Sequence, residues 1–350
     1  MWEEGDVART STGVPTSKDV ARVAGVSQST VSYVMSGKRP ISEKTRRVVQ
    51  DAIDELTYQP HAGARALASQ RTNVIAVVMP FHSELSAHGL MAFAEEIALA
   101  SRAHDYDVLM VTADEGPEGL RRVAGRALCD ALVVMEVSRH DARAEVARSL
   151  ALPTLFIGFP EDADDLHCID FDFEEGARLL VSELVGAGAR HVLVGGWRPD
   201  LTVRDINYYP RFRDSAVRCA ADLGVPLDWS SVSRGTAGVE AFVDTVVAMS
   251  ATDGRPPGIV VVDNVPEITN ALARRGLLPG RDVDVVALVG HAEAESQHVP
   301  LTAVSTQPRD VSRRAMETLF DLLDSTDQPP GAKHLVAAEL TRRDSARRPG

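Results

Sequence analysis

The sequence predicts a small all-α head of helix-turn-helix type, followed by an α/β core built from two parallel-sheet subdomains. Near the N-terminus, apolar residues recur at helical spacing in three short segments separated by glycine and serine. From Asn73 onward, short apolar runs alternate with helical stretches, which is typical of parallel sheets covered by helices. The runs lie at 74–79, 108–111, 131–135, 153–157, 192–195, 259–262 and 284–289. Seven such units over ~280 residues favour two sheets, each close to ordinary domain size.

Composition excludes several classes of protein. The chain has 350 residues, of which 44% are hydrophobic and 25% charged, as in soluble globular proteins. Its three cysteines are far apart, which argues against a disulfide framework and against a cysteine metal site. No apolar run approaches the ~18 residues that span a bilayer, and the first residues lack the apolar segment of a signal peptide. We therefore expect a cytoplasmic protein without membrane contact.

Three short helices are predicted in the head. The first begins at Thr16, where Asp19 is positioned as a capping-box partner. Gly25 ends this helix, because only glycine adopts the left-handed conformation expected there at low energetic cost. Ser27 caps the second helix and Ser42 the third. The apolar residues expected to point inward are Val20, Val23, Ala24, Val31, Val34, Met35, Val49, Ile53 and Leu56. Two helices joined by a glycine turn and packed on a third form a helix-turn-helix.

Charge is distributed unevenly between the head and the rest of the chain. Residues 16–71 contain nine bases and five acids, a net charge of +4, whereas the whole chain carries −13. A basic head on an otherwise acidic chain is suited to contact with phosphates, because attraction depends on the electrostatic potential near the contact and not on the net charge of the chain.

Polar residues open the second predicted helix: Ser27, Gln28, Ser29 and Thr30. Their side chains donate and accept hydrogen bonds, and a helix N-terminus favours an anion. Such a group suits base edges in a DNA major groove or phosphate oxygens. A solvated polar face is the alternative.

A family resemblance covers this region. Residues 16–33 (TSKDVARVAGVSQSTVSY) match every fixed position of T-x-x-D-V-A-x-x-A-G-V-S-x-x-T-V-S, and the segment resembles the head of the LacI–GalR family of bacterial repressors. Residues 42–46 (SEKTR) and 56–60 (LTYQP) are similar to the family's third helix and its exit. The resemblance implies base contacts from Gln28, Ser29 and Tyr33, and backbone contacts nearer Thr30 and Ser32.

The next segment, residues 60–69 (PHAGARALAS), is similar to the family's hinge. The resemblance implies a short helix that forms on DNA and inserts Leu67 into the minor groove. Ten residues that include Gly63 are too few for a stable isolated helix, so folding depends on partners. A plain linker is the alternative. The full set of expected DNA-contacting residues is Thr16, Ser27, Gln28, Ser29, Thr30, Ser32, Tyr33, Arg39, Ala64, Arg65 and Leu67.

The core also resembles this family, in residues 107–114 (DVLMVTAD), 131–137 (ALVVMEV), 172–178 (DFEEGAR) and 340–345 (LTRRDS). The resemblance implies a periplasmic-binding-protein-like core with an effector cleft between its subdomains. Effector contacts are expected from Phe81, His82, Asp172, Phe173, Arg211, Asp263 and Asn264. Three alternatives stay open. Arg211 could be a surface residue, Asp172 could cap a helix, and the Phe81–His82 pair could be ordinary packing at a strand end.

The predicted organisation is a tail over 1–15, a helix-turn-helix DNA-binding domain over 16–59, a hinge over 60–71 and an effector-binding, dimerising core over 72–350. The resemblance implies a homodimeric, nucleoid-associated repressor of a pseudo-palindromic operator, switched by a sugar or related metabolite. A regulator with no small-molecule response is the alternative, and a solute-binding protein is a more distant one. The sequence shows none of the common nucleotide-binding, zinc-protease or serine-hydrolase motifs, so no catalytic residue, metal or cofactor is expected.

Overall fold

A computed structural model describes residues 15–36, 39–58, 71–80, 87–197, 205–233, 235–325 and 329–347. The chain divides into two compact units, one before and one after the boundary between Thr72 and Asn73. None of the helices in the described ranges is long and apolar enough to cross a membrane.

The smaller unit contains helices α1 (Ser17–Ala24), α2 (Gln28–Ser36) and α3 (Glu43–Glu55). Asp19 accepts hydrogen bonds from the backbone N–H and the hydroxyl of Thr16, and Gly25 adopts the expected left-handed conformation with φ 63°. The Ser42 side chain accepts a hydrogen bond from the backbone N–H of Thr45. These helices confirm the predicted helix-turn-helix.

The core of the head differs from the prediction at one position. It is formed by Val20, Ala21, Ala24, Val31, Val34, Val49, Ala52 and Tyr58. Val23, which was expected to point inward, is 37% exposed. The reason is geometric, since at 100° per residue the buried stripe of α1 is centred between Val20 and Ala21 and Val23 lies beyond its edge.

The larger unit alternates strands with helices along most of its length. In chain order the elements are β1 (Val74–Met79), α4 (Ala87–Ala103), β2 (Asp107–Thr112), α5 (Gly116–Gly125), β3 (Ala131–Val134), α6 (Ala142–Ser149), β4 (Thr154–Ile157), β5 (His167–Phe171), α7 (Phe173–Gly186), β6 (Val192–Gly196), α8 (Tyr208–Asp222), β7 (Leu227–Ser231), α9 (Thr236–Asp253), β8 (Gly258–Val261), α10 (Val265–Arg274), β9 (Val285–Leu288), α11 (His291–Ser296), β10 (Thr302–Val304), α12 (Pro308–Asp324), β11 (Lys333–Val336) and β12 (Leu340–Thr341).

The strands form two six-stranded sheets, as the sequence predicts. The first has the order β2-β1-β3-β4-β5-β11 and all its pairs are parallel. The second has the order β7-β6-β8-β9-β10-β12, with β12 antiparallel to β10 and the other pairs parallel. One apolar cluster extends through both subdomains, and a further cluster lies on the opposite face of each sheet.

The chain passes between the two sheets three times. The crossings follow β5, β10 and β11, and each leaves its sheet at the carboxyl end of a strand. Helix α7 packs on β8, β9 and β10 of the second sheet, whereas α12 packs on β4 and β5 of the first. All three crossings therefore begin at the carboxyl ends of strands, between the two sheets, where ligands bind in open parallel sheets.

The last described residues are bonded into the second sheet. The Ser345 hydroxyl accepts a hydrogen bond from the Thr302 N–H at 2.8 Å and donates one to the Val285 carbonyl at 2.5 Å. Arg347 forms an ion pair with the buried carboxylate of Asp284. A turn at Gly280 packs against this segment, and a Cβ atom built on Gly280 would lie 1.8 Å from the Asp344 carbonyl oxygen.

We predict that Gly280→Ala destabilises the core more than Gly276→Ala. Both glycines have positive φ, 76° and 78°, so alanine is strained at either position by about 1–2 kcal/mol. Only Gly280 is packed against backbone, because nothing lies within 4 Å of a Cβ at Gly276. The clash should cost about 1–3 kcal/mol more. Urea unfolding followed by tryptophan fluorescence measures the difference, and equal losses of stability would contradict this packing.

Candidate functional site

The outer face of α2 carries a strip of polar side chains. Ser27, Gln28, Ser29 and Ser32 are exposed, and Tyr33 is half-buried. The Ser27 hydroxyl accepts a hydrogen bond from the Thr30 N–H at 3.2 Å, so Ser27 caps α2 as predicted. The cap leaves the first turn of α2 presenting hydroxyl and amide groups to solvent.

Several bonds position this strip. The Gln28 amide donates to the Ser17 hydroxyl at 2.8 Å, which ties α2 to α1. The Ser27 hydroxyl lies 2.8 Å from those of Ser29 and Thr30. Beyond the other end of α2, the exposed Arg39 guanidinium lies 5.0 Å from the centre of the Tyr33 ring. The head therefore presents hydrogen-bonding groups and a cation next to α2.

Thr16 has a local structural role. Its hydroxyl donates to Asp19 Oδ2 at 2.7 Å, and its backbone N–H donates to the same oxygen at 3.0 Å. These bonds lower the pKa of the Asp19 carboxyl below its ordinary value. The other predicted DNA contacts in this region, Ala64, Arg65 and Leu67, lie outside the described residues.

A cavity of about 970 Å³ lies between the two sheets, at the carboxyl ends of their strands. All three crossings contribute to its wall, through Asp170, Phe171 and Phe173, through residues 305–308, and through Glu339. Three of the predicted effector contacts line it: Phe173, Asp263 and Asn264. Phe81 and His82 are outside the described residues.

Arg211 lies behind the cavity wall, paired with Asp170. Its Nη1 donates to Asp170 Oδ2 at 2.6 Å, and the two side chains are only 15% and 11% exposed. The guanidinium also lies over the rings of Phe159 and Phe173, at 5.0 Å and 5.9 Å from their centres. Arg211 is therefore largely buried. Its charged partner Asp170 lines the cavity, so the pair joins β5 of the first sheet to α8 of the second subdomain.

Burial dominates the ionisation of Asp170. It raises the pKa of this carboxyl to about 6, even though Arg211 and the Phe171 N–H act in the opposite direction. Desolvation penalises the charged form more than one arginine compensates. The carboxylate is thus held at the cavity wall at a free-energy cost.

Asp172 occupies a different position from the one the resemblance implies. Its Oδ1 accepts a hydrogen bond from the Glu175 N–H at 3.0 Å and caps α7. The acid beside it that lines the cavity is Asp170. Asp170 was not among the residues predicted from the sequence, although an acid near the end of a short apolar run (HCIDF) is an available signal.

One wall of the cavity is aromatic. Phe173 stacks on Tyr208 with ring centres 5.0 Å apart, and the Trp197 ring meets Tyr208 edge-on at 5.3 Å. Phe171 contacts Phe173 edge-on at 5.1 Å. Phe173 was predicted from the sequence, whereas Trp197 and Tyr208 were not. A wall of this kind packs against the apolar face of a sugar ring or a planar heterocycle.

Three other residues of the cavity wall have unusual backbone conformations. Glu136, Asn264 and Gln307 all line the cavity and have φ values of 52°, 52° and 48°. The Asn264 N–H donates to Asp263 Oδ1 at 2.9 Å, and the Gln307 amide donates to the Ala337 carbonyl at 2.6 Å. Left-handed non-glycine residues concentrate at binding sites, where surrounding structure holds them. Among the described residues, no cluster of three or more potential metal ligands is present.

Comparison with known proteins assigns both units. Residues 16–61 match the model for bacterial regulatory proteins of the lacI family, and residues 181–346 match a periplasmic-binding-protein-like domain. The chain is 27% identical to the HTH-type transcriptional regulator RegA of Clostridium saccharobutylicum, over 94% of this chain and 98% of RegA. It is also 27% identical to AglR of Rhizobium meliloti (strain 1021), over 94% and 93% of the two chains.

Solved structures share the fold. The lac repressor dimer bound to operator and the anti-inducer ONPF superimposes with a TM-score of 0.78 at 21% identity, covering 95% of this chain and 99% of that one. The CelR–cellobiose complex gives 0.65 at 19% identity, covering 95% and 100%. Together, the helix-turn-helix, the two-sheet core and both family models show that this chain belongs to the LacI family of bacterial regulatory proteins and is a DNA-binding transcriptional regulator.

Proposed function

We propose that this regulator binds a pseudo-palindromic operator as a homodimer, and that a small polyhydroxylated molecule in the cavity switches its DNA affinity. The observation that carries the proposal is the aromatic-walled cavity at the three crossings between the sheets. The protein acts as a cytoplasmic, nucleoid-associated repressor and not as an enzyme.

The DNA half of the proposal rests on the strip along α2. Its exposed amide and hydroxyl groups supply both donors and acceptors, which base edges in the major groove require. The head carries more bases than acids, so phosphate contacts add affinity without specificity. Gln28, Ser29 and Tyr33 are assigned to bases, and Thr30, Ser32 and Arg39 to the backbone. Leu67 is assigned to the minor groove on the family resemblance.

The homodimer rests on an apolar surface of the first subdomain. Met91 and Leu99 on α4 are 63% and 61% exposed, and Met110 on the neighbouring edge strand β2 is 48% exposed. Large apolar side chains exposed on adjacent elements mark an association surface. The lac repressor, whose fold this chain shares, was solved as a dimer on operator DNA. A symmetric dimer of heads also matches a two-fold operator.

The switch rests on the position of the cavity. A ligand there contacts residues of both sheets and all three crossings, so its binding energy depends on how the subdomains are arranged. It shifts DNA affinity only through its different affinity for the two arrangements, typically ~1–3 kcal/mol. The Asp170 carboxylate, held in place by Arg211 behind it, provides directional hydrogen bonds, and the aromatic wall packs on an apolar ring face. CelR, a protein of the same fold, holds cellobiose.

We predict that the double variant Gln28→Ala/Ser29→Ala changes the preferred half-site. Each lost base contact should reduce discrimination by ~1–3 kcal/mol at its base pair, because the partner group on the base is left unpaired. Selection from random DNA measures the preference. Gln50→Ala is the matched control, since Gln50 is an exposed glutamine on α3 that bonds Asp54. An unchanged consensus in the double variant would exclude these residues from base recognition.

We predict that Leu99→Lys weakens dimerisation about tenfold or more, because a charge would be buried against the partner's apolar surface. Sedimentation equilibrium measures the dimer dissociation constant. Val217→Lys is the control, because Val217 is a similarly exposed apolar residue on α8, in the other subdomain. If the two variants dimerise equally well, α4 is not the dimer surface.

We predict that Arg211→Ala abolishes the response to an effector but spares operator binding without it. The variant removes the cation that pairs with Asp170 at the cavity wall. Fluorescence anisotropy of labelled operator, with and without the effector, measures the response. Arg213→Ala, two residues along α8, removes an exposed arginine paired with Asp214 and should behave as the unmodified chain. A full response in Arg211→Ala would refute this site.

A further inference from the structure

Carboxylates predominate among the charged residues of the cavity wall. Six described lining residues are acids: Glu136, Asp170, Asp263, Glu293, Asp310 and Glu339. A single arginine, Arg309, is found among the described lining residues, along with His291. Low-dielectric walls concentrate the field of charges in a cleft, so this excess acts strongly on a ligand's charge.

The nearby arginines are already paired. Arg309 donates to Glu95 Oε2 at 2.7 Å, and Arg211 donates to Asp170 Oδ2 at 2.6 Å. Asp310 is paired too, with Arg313. The Arg211–Asp170 pair differs from the others because both side chains are almost buried, so solvent screens it little. The positive charge of Arg211, which lies over the Phe173 ring of the aromatic wall, is thus neutralised by the Asp170 carboxylate.

We infer that the cavity accepts an uncharged or positively charged ligand and rejects anionic ones, and that Asp170 sets this preference by neutralising Arg211. The inference rests on the proposed ligand response and narrows its chemistry. A phosphorylated or carboxylated ligand has to displace Asp170 from Arg211, which leaves a buried carboxylate without its cation. An uncharged hydroxylated ligand instead donates to the carboxylate and leaves the ion pair intact. An amine gains further from the acids of the wall.

Removing the negative charge at residue 170 tests this directly. Asp170→Asn keeps the side-chain shape but leaves Arg211 with only the more exposed Glu174 carboxylate, 3.9 Å from its Nε, as a counter-charge. Titration calorimetry of the full-length chain with inorganic sulfate, at constant ionic strength, measures anion binding. We expect no saturable sulfate binding at the cavity in the unmodified protein. In Asp170→Asn we expect a saturable site whose affinity is at least about tenfold above the weakest affinity the titration detects, and an added Arg211→Ala change should abolish it.

Asp172→Asn is the matched control. It removes the same charge two residues away, and asparagine still caps α7. If this variant gains sulfate binding equally, net charge and not the Asp170–Arg211 pair governs anion exclusion, and the inference is wrong. The inference also fails if folded Asp170→Asn gains no sulfate binding.

A second measurement needs no substitution at Asp170. Burial raises the pKa of Asp170 to about 6, Arg211 and Asp172 also act on it, and Glu174 lies 3.9 Å from Arg211 Nε. Acidification below that pH protonates Asp170 in the unmodified protein, whereas the charge of sulfate stays constant. Sulfate binding should therefore rise as pH falls through this range, and the rise should be absent in Arg211→Ala. Constant sulfate binding across this range would overturn the inference even if Asp170→Asn fails to fold.

Three ligands with the same ring separate this inference from the proposed function. Glucose, glucosamine and glucose 6-phosphate differ in charge, and each is titrated into the unmodified chain. Binding of the phosphate ester alone would overturn the inference and leave a ligand-responsive regulator. If none of the three binds and the sulfate results are as expected, the charge preference stands and the sugar assignment of the proposed function is what fails.

Discussion

The ion pair between Arg211 and Asp170 is the interaction on which the cavity depends. It joins the end of β5 in the first sheet to α8 in the second subdomain, and both side chains are nearly removed from solvent. Burial of the carboxylate is costly, as its raised pKa shows, and only the arginine and a backbone N–H offset that cost. Any ligand or movement that changes this pair therefore changes the relation between the two subdomains. A buried ion pair that is costly to maintain is better suited to a conformational switch than to stabilising a core.

The three crossings explain how a small ligand can act on the whole core. They are the covalent links between the sheets, and each contributes to the cavity wall. Glu136, Asn264 and Gln307 have left-handed backbone conformations around the same cavity. Packing elsewhere holds them in place, because the apolar cluster that extends through both subdomains is buried. These three left-handed residues thus lie where the subdomains meet.

The distribution of charge separates two kinds of recognition in one chain. The head is locally basic and presents hydroxyl and amide groups on α2, which suits a polyanion that has readable base edges. The described part of the cavity wall is acidic, and Arg309 in the wall and Arg211 behind it are each paired with a carboxylate. A net charge of −13 is therefore compatible with DNA binding, because the field at each site is set by nearby groups.

The sequence by itself determined the helix-turn-helix and the two-sheet core, because glycine and serine capping and the spacing of apolar residues are local signals. Phe173, Asp263 and Asn264 were predicted at the cavity because each lies just after a strand, where open parallel sheets bind ligands. Only the tertiary structure decided that Asp170 pairs with Arg211, that Asp172 caps α7, and that Trp197 and Tyr208 complete the aromatic wall. These contacts join segments far apart in the chain. Their distances depend on how strands and crossings pack, and no local pattern of residues encodes that.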